Sequence, residues 1–246
     1  MRAPGATAAS RSLGWRRAGP LCSAAVPTPA QARVYLARHG QTAYNLERRF
    51  QGHLPVPLDS TGRVQAAELA ERAAAHGFAA LWCSTLLRAR ETAEVVAARL
   101  ELQPRQDARL METDAGDWTD RLFADVQAQA PELFSKFVAG DESFAFPGGE
   151  SFAQQRERVA AALQDVERGA LPALVVCHGM VIRAALSGRA GHWEPHAERV
   201  PNGALVSLEA GAPRADLGGD EATPPATARA GAGTLRAPTA DGPTSA

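Results

Sequence analysis

Three short apolar runs, each followed by a stretch of helical periodicity, constrain this chain more than any other feature. They are Arg33 to Arg38 (RVYLAR), Ala80 to Cys83, and Leu174 to Cys177 (LVVC). Runs of this length without alternation suit strands covered on both faces. Between them, Ser60 to His76 carries Ala66, Leu69, Ala70 and Ala73 on one helical stripe, with Ser60 or Thr61 as its cap and Gly77 as its stop. Leu87, Ala93, Val96 and Leu100 form the buried face of a helix capped by Ser84. Phe123 to Val138 reads as helical with a break near Pro131, and Ser151 with Gln154 forms a capping box that opens a helix to Arg168. A helix leaves the third strand over Gly179 to Leu186, and Val200 with Ala204 to Leu208 reads as edge strands. Strand alternating with helix predicts an α/β sandwich around a mostly parallel sheet.

That pattern occupies residues 33–209 of 246. Residues 1–33 hold five arginines and no acid, the composition of a transit peptide. The reading adopted for 1–32 is a leader without structure of its own, either disordered or set by a start codon placed too far upstream. Residues 210–246 are Ala, Gly, Pro and Thr with few large apolar side chains, so they are expected to be disordered. The formal net charge of −1 gives no field to recruit nucleic acid or an anionic membrane. No apolar run approaches the roughly 20 residues needed to span a bilayer. Three widely spaced cysteines, Cys22, Cys83 and Cys177, argue against a disulfide framework and point to a reducing, cytoplasmic setting.

Parallel strands place their C-terminal ends on one edge of the sheet, where ligands bind. The residues at those ends are Arg38-His39-Gly40, Ser84 to Arg88, and His178-Gly179. A lone strand-end histidine is usually structural, and an arginine in a first helical turn usually snorkels to solvent. Here two histidines and two arginines converge, in a chain with six histidines. Each histidine precedes a glycine whose backbone N–H could approach an anion. The expected site is an anion pocket, and the expected anion is phosphate.

These residues sit in longer blocks that resemble the histidine phosphatase superfamily, which includes phosphoglycerate mutase. Arg38-His39-Gly40-Gln41-Thr42 with Asn45 is similar to its signature. Arg49-Phe50-Gln51-Gly52 with Pro57-Leu58, and Ser84 to Ala89 with Thr92-Ala93, resemble its next blocks. Leu110, Glu112, Gly116 and Trp118, then Pro147 to Ser151, then His178-Gly179 and Asn202, continue the resemblance over about residues 33 to 208. Two positions depart from the family's habit: Thr119-Asp120 follow Trp118, where an acid and Gly are common, and Cys177 precedes His178, where Ser or Thr is common.

The resemblance implies a three-layer α/β/α sandwich and a phosphohistidine intermediate on His39. It implies that Arg38, Arg88 and His178 stabilise the phosphoryl oxygens, with His178 adding to the clamp if cationic. Glu112 is the implied proton donor and later base, with Asp114 and Asp117 as rivals. Asn45, Gln51, Gly52 and Gly179 are the implied further donors. It implies no metal and no other cofactor, a small phosphomonoester as substrate, and an open oligomeric state, a homodimer among the options.

Phosphatase is favoured over mutase by a charge count. The segment between Trp118 and Pro147 contributes only Arg121 and Lys136, too few for a second phosphate and a carboxylate. It offers Phe134, Phe137, Phe144 and Phe146 instead, which suit an apolar mouth, although Phe134 and Phe137 read more simply as helix packing. Two rivals remain. Cys177 to Arg183 fits the C-x5-R spacing of cysteine-dependent phosphatases, but Met180, Val181 and Ile182 read as helix, not as a Gly-rich cradle. A non-catalytic phospho-ligand binding module would usually have lost the nucleophile or an arginine.

Overall fold

In the computed structural model, residues 34–190, 200–208 and 215–216 are described. The sheet follows from its most apolar strand. Strand β4 (Ala173–Cys177) is buried along its whole length. It is flanked in parallel by β1 (Val34–Arg38) along its whole length and by β2 (Ala80–Ser84) from Ala173 to Val176, so the run is paired on both sides. β3 (Pro104–Asp107) pairs in parallel with β2, β5 (Leu205–Ser207) pairs antiparallel with β1, and β6 (Ala215–Asp216) pairs antiparallel with β5. The order across the sheet is β3-β2-β4-β1-β5-β6.

Side chains alternate across the pleat and feed two cores. Leu174 and Val176 of β4 pack with Ala37, Leu81 and Cys83 beneath α2 (Ser60–Ala74) and α3 (Leu87–Leu100). Val175 and Cys177 pack with Val34 and Leu36 against α6 (Phe152–Glu167) and α7 (Gly179–Ala190) on the other face. This is the three-layer α/β/α sandwich. A third cluster lies beyond the sheet. Phe50, Trp118, Val126, Phe144, Phe146 and Phe152 pack with residues of α4 (Phe123–Gln129) and α5 (Pro131–Ala139). The Ser151–Gln154 capping box forms as read, a device worth about 1 kcal/mol.

Several local expectations are corrected. The cap of α2 is Asp59, whose carboxylate accepts from Gly62 N–H at 2.7 Å, which leaves Ser60 and Thr61 inside the first turn. Leu86, with no side-chain cap bond, occupies the N-cap of α3, and Ser84 lies in the β2 strand end. β5 is interior because β6 covers it, and Val200 is outside the strands. β6 lies within the segment read as tail; the rest of 210–246 and all of 1–32 are outside the described residues. β3 forms on Pro-Arg-Gln-Asp, which has no apolar pattern; an edge strand does not need one.

Candidate active site

The register of the parallel strands assembles the site. Arg38 is the register partner of Cys177, so the residues that follow them, His39 and His178, leave the sheet side by side with ring centroids 5.2 Å apart. Cys83 of β2 pairs with Val176, which brings Ser84 to the same edge. α3 then carries Arg88 inward, 1% exposed.

His39 is 2% exposed, and its Nδ1 lies 2.7 Å from the Gly40 carbonyl. A carbonyl only accepts, so Nδ1 carries the proton and Nε2 keeps its lone pair. Burial, then Arg88 and Arg38, hold the imidazole well below its ordinary pKa, opposed by the Gly40 carbonyl. The ring is a neutral nucleophile. Arg88 donates to the carbonyls of Gly52 (3.0 Å) and Leu54 (3.3 Å), and burial lowers its pKa to about 10. Arg38 donates through Nη1 to Val200 O at 2.7 Å. Arg38 Nε, Arg88 Nε and His178 Nδ1 are buried and have no hydrogen-bond partner among the described residues. Arg38 and Arg88 line one cavity with His39, and His178 stands behind them with its ring 5.2 Å from that of His39; unsatisfied buried nitrogens beside a free imidazole nitrogen fit a small oxyanion.

His178 is held well below its ordinary pKa by burial first, then by Arg88, His39 and Arg38. Without a bound anion the ring favours its neutral form. Glu112 lines the same cavity, its carboxylate held by the backbone N–H groups of Thr113 (3.0 Å) and Met180 (3.4 Å). Asp114 and Asp117 do not line it; Asp114 caps the Gly116 N–H, and Asp117 sits against Gly148. Asn45, Gln51, Gly52 and Gly179 all line it. Asn45 spends its Oδ1 on the Thr42 N–H, so its amide nitrogen is the donor available to a ligand. The Gly52 carbonyl fixes Arg88.

Gly40 has another role than the one expected. Its N–H is taken by Thr92 Oγ1 at 3.1 Å, and a Cβ on Gly40 would lie 2.2 Å from Gly62 O. It is glycine because the loop crosses the start of α2 at backbone contact. Thr92 also donates to Arg88 O at 2.8 Å, so one hydroxyl ties the His39 loop to the helix turn bearing Arg88. Asn202 donates to His39 O at 2.9 Å from the other side. Sequence reasoning missed the role of Thr92, although its i+4 spacing from Arg88 places it on the same face.

The cavity holds about 630 Å³. Phe50, Phe123, Phe134, Phe137, Phe146 and Met180 form its apolar wall. Phe134 and Phe137 are thus wall as well as packing, while Phe144 is buried behind them. Arg121 and Lys136 do not line it, whereas Arg48, Arg49 and Arg183 do. The charge count drawn from 119–146 therefore omitted cations supplied by other segments. Cys177 sits in the core; burial pushes its thiol pKa far up, and helix α7 starts two residues later. That removes the cysteine mechanism. Among the described residues no helix is long and apolar enough to cross a membrane.

A sequence model of the histidine phosphatase superfamily, branch 1, matches residues 34–217. The chain belongs to this superfamily. The chain is 35% identical over 158 residues to a protein named probable phosphoglycerate mutase GpmB of Salmonella paratyphi B, covering 63% of this chain and 73% of that one. Among solved structures it resembles a mycobacterial glucosyl-3-phosphoglycerate phosphatase complexed with VO3, at 30% identity and TM-score 0.64, over 75% of this chain and 97% of that chain. It also resembles Bacillus stearothermophilus YhfR, at 31% identity and TM-score 0.63, over 71% and 89%. The relatives' names divide between phosphatases and mutases, which differ in whether phosphate passes to water or back to a product.

Proposed function

We propose that this enzyme hydrolyses small phosphomonoesters through a phosphohistidine on His39. The observation that carries the reading is His39 itself: Nδ1 bonded to Gly40 O, Nε2 unencumbered, and two buried arginines with unpaired Nε donors beside it. Nε2 attacks phosphorus, forming the N–P bond as the ester P–O bond breaks. The leaving alkoxide takes a proton from the Glu112 carboxyl group. Arg38, Arg88 and the His178 N–H stabilise the charge on the transferring oxygens. Water then attacks phosphorus, Glu112 accepts its proton, the N–P bond breaks, and neutral His39 is restored. Arginines supply the positive charge, so no step calls for a metal ion. The phenylalanine wall supports substrates whose alcohol carries apolar surface.

Arg48 and Arg183 on the cavity wall favour the alternative, a phosphoglycerate mutase. Against it, Arg183 is already engaged with the Val138 carbonyl at 3.3 Å, and Arg49 with Glu47 at 3.1 Å. The test has two arms. Turnover of p-nitrophenyl phosphate is expected to be undiminished in EDTA. With 3-phosphoglycerate and 2,3-bisphosphoglycerate as primer, free phosphate is expected to exceed 2-phosphoglycerate. Efficient 2-phosphoglycerate formation with little phosphate release would refute hydrolysis and leave the His39 chemistry standing.

A further inference from the structure

His178 poses a problem that its neighbours solve. It is fully buried, neutral, and surrounded by Arg38, Arg88 and His39. A neutral imidazole has one N–H and one lone pair, and the wrong tautomer would aim a lone pair at a phosphoryl oxygen. Nothing in the arginines decides which tautomer is present.

The decision lies on the far side of the ring. His178 Nε2 is 2.7 Å from Ser84 Oγ, and both residues are 0% exposed. Ser84 Oγ accepts the Leu86 N–H at 3.2 Å. Its own hydroxyl proton therefore needs an acceptor, and among the described residues His178 Nε2 is the one within reach. If Nε2 carried the proton instead, Ser84 Oγ would accept twice and its buried O–H would be orphaned, a costly arrangement. With Ser84 donating, the hydroxyl both accepts and donates, the ring proton lies on Nδ1, and the one donor left without a partner is the Nδ1–H that a bound oxyanion would satisfy. Nδ1 is the buried ring nitrogen without a hydrogen-bond partner among the described residues.

We propose that Ser84 is a positioning residue: its hydroxyl donates to His178 Nε2, fixes the Nδ1–H tautomer, and so makes an uncharged His178 a hydrogen-bond donor to the phosphoryl group. The Leu86 N–H orients the hydroxyl, which explains why Ser84 lies two residues before the helix residue it contacts and does not serve as its cap. This rests on the pocket being a phosphoryl site, but the tautomer is measurable without turnover.

The full chain is labelled with 15N-histidine and long-range 1H–15N correlations are recorded near neutral pH. The His178 signals are assigned by their loss in His178→Gln. The expected pattern is a neutral ring protonated at Nδ1; a ring protonated at Nε2, or a cationic ring, overturns the proposal. In Ser84→Ala the His178 pattern is expected to shift toward a mixed tautomer. Its kcat/KM for p-nitrophenyl phosphate is expected to fall by about a hundredfold, the lower end of the scale for a lost oxyanion donor. Wild-type kcat/KM in Ser84→Ala, or an unchanged Nδ1–H pattern, also overturns it. Should the wild-type protein hydrolyse no phosphomonoester, the functional reading fails separately, and binding of inorganic vanadate, expected to be about tenfold weaker in Ser84→Ala, decides the role of Ser84.

Discussion

Two buried neutral histidines make stability depend on pH in a predictable direction. His39 and His178 both have pKa values held well below the ordinary 6.5, chiefly by burial. Above about pH 6.5 neither the folded nor the unfolded chain binds a proton at these rings, so they contribute no slope. As pH falls through 6.5 the unfolded chain takes up protons that the folded chain refuses, and stability is lost. Each ring contributes at most about 1.4 kcal/mol per pH unit, so the pair contributes up to about 2.7 kcal/mol per pH unit. The rings lie 5.2 Å apart, so a proton on one opposes a proton on the other and the folded state resists double protonation. Against a typical stability of about 5–15 kcal/mol, one pH unit is a large fraction. The assay is urea denaturation at intervals from about pH 5 to 7.5, in buffer free of phosphate because a bound anion stabilises the folded state by mass action. Wild type is compared with His178→Gln and with the His39→Gln/His178→Gln double variant. His178→Gln is expected to lose about half of the excess slope below pH 6.5, and the double variant nearly all of it. Equal slopes in wild type and double variant between about pH 5 and 6 would refute the assignment of these rings as neutral.

The remaining predictions concern chemistry and support. His39→Ala is expected to abolish p-nitrophenyl phosphate hydrolysis and Cys177→Ser to leave most of it; label trapped from substrate should be acid-labile and alkali-stable, and the opposite pattern in either measurement would count against His39. Thr92→Val keeps shape but leaves the Gly40 N–H buried without an acceptor and removes the bond to Arg88 O. It is expected to cost about 2 kcal/mol, a fall in Tm of roughly 4–8 °C for a domain of this size. Its kcat/KM should fall by about tenfold as the His39 loop loosens from Arg88; a Tm within about 1 °C of wild type would show that the hydroxyl bridge does not matter.

Residue spacing along the chain carries the features that local physics controls. The apolar run of β4 and the stripes of α2, α3 and α6 are set by residues whose spacing matches the period of the element they form. Strand-end histidines and arginines were legible as a site because a parallel sheet gathers strand ends on one edge whatever its order. Tertiary structure decided matters that depend on who meets whom. Pro104–Asp107 became a strand only because β2 offered a free edge, and β5 became interior only because β6 paired with it. Ser84 carried the right chemistry for a helix cap, yet the β2–β4 pairing set its hydroxyl against His178. Gly40 was legible as a glycine with a purpose, but its purpose, backbone contact with Gly62, joins two segments more than twenty residues apart. The cations of the cavity were miscounted for the same reason: Arg48, Arg49 and Arg183 come from outside the segment expected to supply them. Periodicity and capping act within a few residues along the chain, whereas these contacts are made between segments that only the packed fold brings together.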